Sequence, residues 1–206
     1  MPERVSALAD HYKCGRYGSP GTPGVVIELV PDLLLWQLTA WPTTVKLVEK
    51  NALQLIGVPS GFDSARRPAN HVAAGPRGVL LRVEPLKWWL LDVTPAALAP
   101  ETGTTLDLSH SRTRLRITGE SAATLLNRFV SLDLRSTGRD SDQSSGGVEK
   151  RSGMAEDRIM STSIHHVTVS IWQRSAGFEL FLPRSFAVSI LELLCQGAEQ
   201  FGYELR

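Results

Sequence analysis

The sequence predicts an α+β fold of pseudo-symmetric antiparallel sheets with packed helices. Three observations predict it. Apolar segments of strand length are interspersed with amphipathic helical segments; the order strand, helix, strand, strand, helix or helical turn occurs twice; and the strands within each half are joined by short turns. Short turns favour antiparallel pairing, because parallel neighbours need long crossovers.

Residues 1–24 read as an N-terminal segment, and 25–206 as a single domain of two halves, 25–100 and 104–206. The stretch GSPGTPG (18–24) is a loop, since Pro20 and Pro23 forbid helix and remove amide donors. VVIELV (25–30) and LLLWQLTAW (33–41), split by Pro31-Asp32, read as a hairpin. Trp41-Pro42-Thr43-Thr44 then marks a helix start with a threonine cap. Val45, Val48, Ala52, Leu55 and Ile56 recur at helical spacing, and Gly57 supplies the stop. The Gly/Pro-punctuated stretch 61–78 reads as a long loop. GVLLRV (78–83) and KWWLLDV (87–93) pair across Glu84-Pro85-Leu86, and a short helical turn is expected at 95–99.

The second half repeats this order. TRLRIT (113–118) alternates as a strand, with Leu115 and Ile117 on one face. Gly119 breaks it, and Ala122, Leu125, Leu126, Phe129 and Val130 mark a helix. The polar stretch 136–153 holds one large apolar residue, Val148. It reads as a mobile insertion, unable to bury enough surface to offset its ordering entropy. VTVSIWQ (167–173) and FELFL (178–182) form a hairpin about Arg174-Ser175-Ala176-Gly177. Ala187, Ile190, Leu191, Leu194, Cys195, Ala198 and Phe201 form the apolar stripe of a last helix, which Gly202 ends.

Composition excludes several functions. Lysine and arginine total 22 against 21 acidic residues, which gives no electrostatic footprint for nucleic acid or an anionic membrane. Cys14 and Cys195 form no disulfide framework or metal pattern. The absence of an apolar leader or a run of membrane-spanning length points to a cytoplasmic, soluble protein.

Asp107, Ser109 and His110 bring the three side-chain types of a nucleophilic triad together. In an extended chain Asp107 and Ser109 share a face and His110 points away, and no Gly-x-Ser-x-Gly elbow surrounds Ser109. A strand entry in which Asp and Ser bond local amides fits better. His165 and His166, read as adjacent strand residues, face opposite sides; His11 and His71 have no ligand partner at suitable spacing. Gly18, Gly21 and Gly24 make no phosphate loop, for Pro20 and Pro23 remove donors and a strand follows. Cys195 lies on an apolar stripe, where burial raises a thiol pKa, while Lys13 and Arg16 near Cys14 favour a thiolate. Trp36, Trp41, Trp88, Trp89 and Trp172 lie on or beside strands. Adjacent Trp88 and Trp89 point to opposite faces, so one fills a core and the other meets a helix, solvent or a partner. No catalytic, cofactor-binding or metal-ligating residue is assigned from these patterns.

The stretch LDLSHSRTRLRITGESAATLLNRFVSLDL (106–134) resembles a signature of the folate-binding aminomethyltransferase-like superfamily through Asp107, Ser109, Gly119, Ala122, Leu125 and Leu126. Within it the chain is similar to gamma subunits of heterotetrameric sarcosine oxidases. LDLSHSRT, Leu132-Asp133-Leu134 and FELFLPRSFAVSILELLCQGAEQFGYEL carry that likeness over 104–135 and 160–203. VVIELV, WQLTAWP, LIGVP and LKWWLLDV carry it more loosely before residue 100. The resemblance implies an aminomethyltransferase-like fold and a non-catalytic subunit without a cofactor of its own. It implies alpha (the main contact), beta and delta partner subunits holding FAD, FMN, NAD, zinc and a tetrahydrofolate site, in a complex that oxidatively demethylates sarcosine. The insertion at 136–153 is longer and more polar than that family suggests, which leaves an N-methylglutamate dehydrogenase-type complex open. A stand-alone folate-binding protein is the other alternative. It needs a pterin-binding carboxylate, for which Asp107, Glu84 and Asp92 are the candidates. A serine hydrolase built on Ser109 is the third.

Overall fold

The structure is a computed structural model that describes residues 5–59, 70–135 and 157–206. Its strands are β1 (Gly15–Tyr17), β2 (Val25–Val30), β3 (Leu35–Ala40), β4 (Val72–Gly75), β5 (Gly78–Glu84), β6 (Lys87–Leu91), β7 (Gly103–Asp107), β8 (Arg112–Thr118), β9 (Arg158–Ile164), β10 (Val167–Arg174), β11 (Gly177–Pro183) and β12 (Tyr203–Leu205). Helix α1 spans Val45–Ile56, α2 spans Ala122–Leu126 and α3 spans Ala187–Ala198. Among the described residues the strands form a seven-stranded sheet, ordered β1-β12-β2-β8-β11-β10-β9, and a five-stranded sheet, ordered β4-β5-β6-β3-β7. The pairing is antiparallel except between β12 and β2.

The layers follow from alternation along the strands. On β6, Trp88 and Leu90 pack under α1 with Val48, Ala52 and Ile56, whereas Trp89 and Leu91 point the other way. On β11, Phe178, Leu180 and Leu182 pack under α2 and α3, whereas Phe181 points back. The two inward faces meet through Leu35, Leu81, Trp89, Leu91, Ile159, Trp172 and Phe181. The order is therefore helices, sheet, sheet, helix. Trp89 meets Phe181 edge-on at 5.6 Å between ring centroids. Both adjacent tryptophans are thus buried within the chain, one on each face of β6.

A repeat is present, as strand, helix and a three-stranded meander in each half, with one strand more than predicted and without the helical turn at 95–99. β3, α1 and the β4–β5–β6 meander build one sheet with β6 returning beside β3; β8, α2 and the β9–β10–β11 meander do the same, with β11 returning beside β8. The expected hairpin of 25–30 with 33–41 does not form. Asp32 takes φ 50° and the chain leaves one sheet for the other, so β2 pairs with β8 and β3 with β6. β7 makes the reciprocal move and pairs with β3. Each half's leading strand thus completes the sheet of the other half.

Other local expectations are also corrected. Residues 72–75 are strand, joined to β5 through Pro76-Arg77, where a loop over 61–78 was expected. Residues 95–99 are not helical and carry no regular structure, and the Leu98 amide donates to Thr105 Oγ1 on β7 at 3.0 Å. Helix α2 stops at Leu126. Thr44 precedes α1, but its hydroxyl donates to Thr102 O at 2.6 Å and accepts from Trp41 N at 3.0 Å instead of capping the helix. Gly57 ends α1 in the left-handed region, φ 84°, as expected. The expected insertion at 136–153 lies outside the described residues.

Candidate functional site

The crossover from β7 to β8 carries Asp107, Ser109 and His110. Asp107 Oδ1 accepts from the Ser109 amide at 2.8 Å, an Asx turn that bends the chain out of the five-stranded sheet. Ser109, 5% exposed, lies against β3: its Oγ accepts from Leu35 N at 3.0 Å and donates to Leu35 O at 3.3 Å. Both hydroxyl functions are thus used on the backbone, 74 residues away in sequence, while His110 is exposed. The strand-entry expectation holds for Asp107. For Ser109 the partner is a distant strand instead of a local amide. The geometry tacks the crossover to the neighbouring sheet and leaves no nucleophile.

The other expected residues are dispersed. His165 and His166 form the two-residue turn between β9 and β10, not a strand, with His165 at φ 53°. His71, 3% exposed, sits with Nε2 3.6 Å from Glu49 Oε1, an acidic neighbour brought from α1 that spacing did not reveal. No group of three or more potential ligands gathers among the described residues. Glu84 is exposed and pairs with Lys87 at 2.8 Å; Asp92 and Asp107 are exposed too. Those three carboxylates do not converge. Burial pushes the Cys195 thiol up, offset in part by a hydrogen bond with Tyr203, and Cys14 is exposed.

The charged site that sequence reading missed lies on the inward face of the seven-stranded sheet. Glu179 of β11 is 1% exposed and meets three guanidinium groups. Arg114 Nε lies 2.7 Å from Oε2, Arg116 Nε 3.0 Å from Oε1, and Arg174 Nη1 3.1 Å from Oε1. Arg116 also reaches Glu28 Oε2 at 2.9 Å. Arg174 stacks 4.6 Å above the Trp172 ring, whose Nε1 donates to Asp157 at 3.3 Å. Burial raises the Glu179 pKa, but hydrogen bonds and charges from Arg114 and Arg116 outweigh it and hold the carboxyl below its ordinary range. A carboxylate so held is a poor base; its chemistry here is to lock β11 to β8. A signal was available, since Glu179 interrupts the apolar run FELFL opposite the alternating arginines of TRLRIT.

No family sequence model matches the chain, and no curated protein matches it in sequence. Solved structures do. A chain of heterotetrameric sarcosine oxidase from Corynebacterium sp. U-96, solved in complex with pyrrole 2-carboxylate, superposes with a TM-score of 0.68 at 20% identity, over 96% of each chain. The fold is aminomethyltransferase-like. Aminomethyltransferase T of the glycine cleavage system from Bartonella henselae superposes with a TM-score of 0.50 at 14% identity, covering 88% of this chain and 47% of that one. This chain therefore spans about half the length of the transferase.

Proposed function

We propose that this chain is a non-catalytic, gamma-type subunit of a multi-subunit oxidase of the sarcosine oxidase kind. Such a complex removes a methyl group oxidatively from sarcosine or a related N-methyl amino acid and passes the one-carbon unit to tetrahydrofolate. The observation that carries the reading is the reciprocal 96% coverage, which matches this chain with one whole chain of a heterotetramer rather than with part of a larger enzyme. The described interior supports it. The space between the sheets holds Trp89, Trp172 and Phe181, and the carboxylate buried there is already engaged by three arginines instead of standing ready to pair with a pterin. On this reading FAD, FMN, NAD, zinc and the folate site belong to alpha, beta and delta partners, and the alpha subunit is the main contact. No helix among the described residues is long and apolar enough to cross a membrane.

Co-expression with candidate alpha, beta and delta chains tests the proposal. A yellow complex that retains this chain through gel filtration is the expected result; elution of this chain alone, with the flavin carried by the others, refutes it. Calorimetry of the isolated chain with tetrahydrofolate separates the subunit from a stand-alone folate protein, because the subunit reading expects no heat of binding.

A further inference from the structure

Arg112, Arg114 and Arg116 stand two apart on β8 and so share the inward face of the sheet. Arg114 and Arg116 meet Glu179, and Arg116 meets Glu28 as well. Arg112 differs. It is half-buried, its guanidinium carbon lies 5.9 Å from the centre of the Trp89 ring, and Nη1 approaches only the neighbouring Ser111 carbonyl at 3.5 Å. No carboxylate pairs with it among the described residues, and burial alone lowers its pKa. A guanidinium held partly out of water without a counter-ion is costly unless an anion completes it.

Instead of a carboxylate, Arg112 faces a cleft of about 550 Å³. Ala7, His110, Ser111, Arg112, Pro183, Arg184 and Ser185 line it, so its lining carries two arginines, a histidine and two serines and, among the described residues, no acidic side chain. Two contacts fix the walls. The Arg184 amide donates to Ser111 O at 2.9 Å, tying the end of β11 to the crossover, and Arg184 Nη2 donates to Val5 O at 2.5 Å. The guanidinium fork of Arg112 suits a bidentate oxyanion, and the Ser185 hydroxyl suits its remaining lone pairs, whereas the Ser111 hydroxyl already donates to Leu108 O at 3.0 Å.

The geometry points to an oxyanion-binding site at this cleft, built on Arg112 and Arg184 and taking a small phosphorylated or polycarboxylate ligand. The site is independent of the subunit proposal, and the purified full chain is sufficient to test it. Isothermal titration with inorganic pyrophosphate and, separately, with tricarballylate reads the two possible sources of the charge. Saturable binding of either probe is expected, weakening as salt is added. Binding of pyrophosphate alone identifies a phosphorylated ligand and binding of tricarballylate alone a polycarboxylate. Arg112→Gln should weaken it roughly tenfold or more, the loss typical of one charge-assisted contact. Arg16→Gln, at an exposed ion pair with Glu204 on β1, should leave it unchanged. Ser185→Asp, at an exposed position on the rim, provides a second variant should Arg112→Gln not fold, and it should abolish binding by repulsion. Absence of saturation for both probes up to ~10 mM, a range that leaves only weak nonspecific attraction, overturns the assignment. So does equal binding by the Ser185→Asp and wild-type chains.

Discussion

Glu179→Gln should destabilise the chain strongly. The structure sets the scale through exposure. Glu179 and Arg114 are 1% and 8% exposed, so neutralising the carboxylate leaves Arg114 buried and uncompensated. Breaking one side of such a pair typically costs about 3–5 kcal/mol. Arg116 and Arg174 are 36% and 40% exposed, and water screens what they lose, adding at most ~1 kcal/mol each. Glutamine keeps the shape and can still accept hydrogen bonds, so a net loss of about 3 kcal/mol is expected, a large part of the ~5–15 kcal/mol that domains usually possess. Urea denaturation at pH 7 measures it, with the m-value unchanged. The pH dependence supplies a second reading. Because the folded carboxyl titrates below its unfolded value, its stabilisation is fully present above the unfolded pKa of ordinary glutamate, about 4.3, and is lost as pH falls through the lower folded value. The gap between wild type and Glu179→Gln should therefore narrow on acidification. Glu179→Leu combined with Arg114→Met, which removes both buried charges, should recover most of the loss. A Glu179→Gln chain within about 0.5 kcal/mol of wild type at pH 7 would show that the arginine cluster is not what holds β8 to β11.

Three further outcomes are expected. Ser109→Ala orphans the Leu35 amide and should lower stability by roughly 1–3 kcal/mol in denaturant titration, without altering any flavin-dependent activity of an assembled complex. Gly119 sits at φ 107°, and a Cβ there would drive into the Gly24 carbonyl. Gly119→Ala should accordingly lower the melting temperature more than Gly21→Ala, where a Cβ meets nothing within 4 Å although φ is also positive. The Tyr12 phenol shares its one proton between the carbonyls of Ile27 and Arg206 and accepts from Leu29 N, and burial pushes its pKa up to about 12. Its stabilisation is present below pH 10 and is lost as pH rises towards 12, so Tyr12→Phe should be less stable than wild type at pH 8 and should lose less on alkaline titration.

Much of the body was legible in the sequence because local chemistry and tertiary placement agree there. The period of α3, the Gly57 stop, the alternation of TRLRIT and the turn at 174–177 all stand where their patterns put them. The failures share a cause. Pro31-Asp32 reads as a hairpin turn because nothing local distinguishes a chain reversal from a passage to another sheet; that choice is made by β8 and β6, far along the chain. The three-residue strands Gly15–Tyr17 and Tyr203–Leu205 carry too little pattern to be seen; the second forms between the first and β2, and the first pairs with it. Ser109 reads from sequence as a strand-entry residue bonding a local amide, but its bond to Leu35 spans 74 residues and, like the strand pairings, has no local signal. Glu179 required knowing that β8 lies beside β11.

The reciprocal placement of β2 and β7 makes the molecule resemble two clasped hands. Cleavage in the link between Asp107 and Arg112 would leave an amino-terminal fragment carrying a strand with no sheet of its own to join, and a carboxy-terminal fragment with a vacant seat beside β8. Neither piece is a self-sufficient module, yet each holds what the other lacks. Such fragments should reassociate when mixed, as partners that exchange an element do.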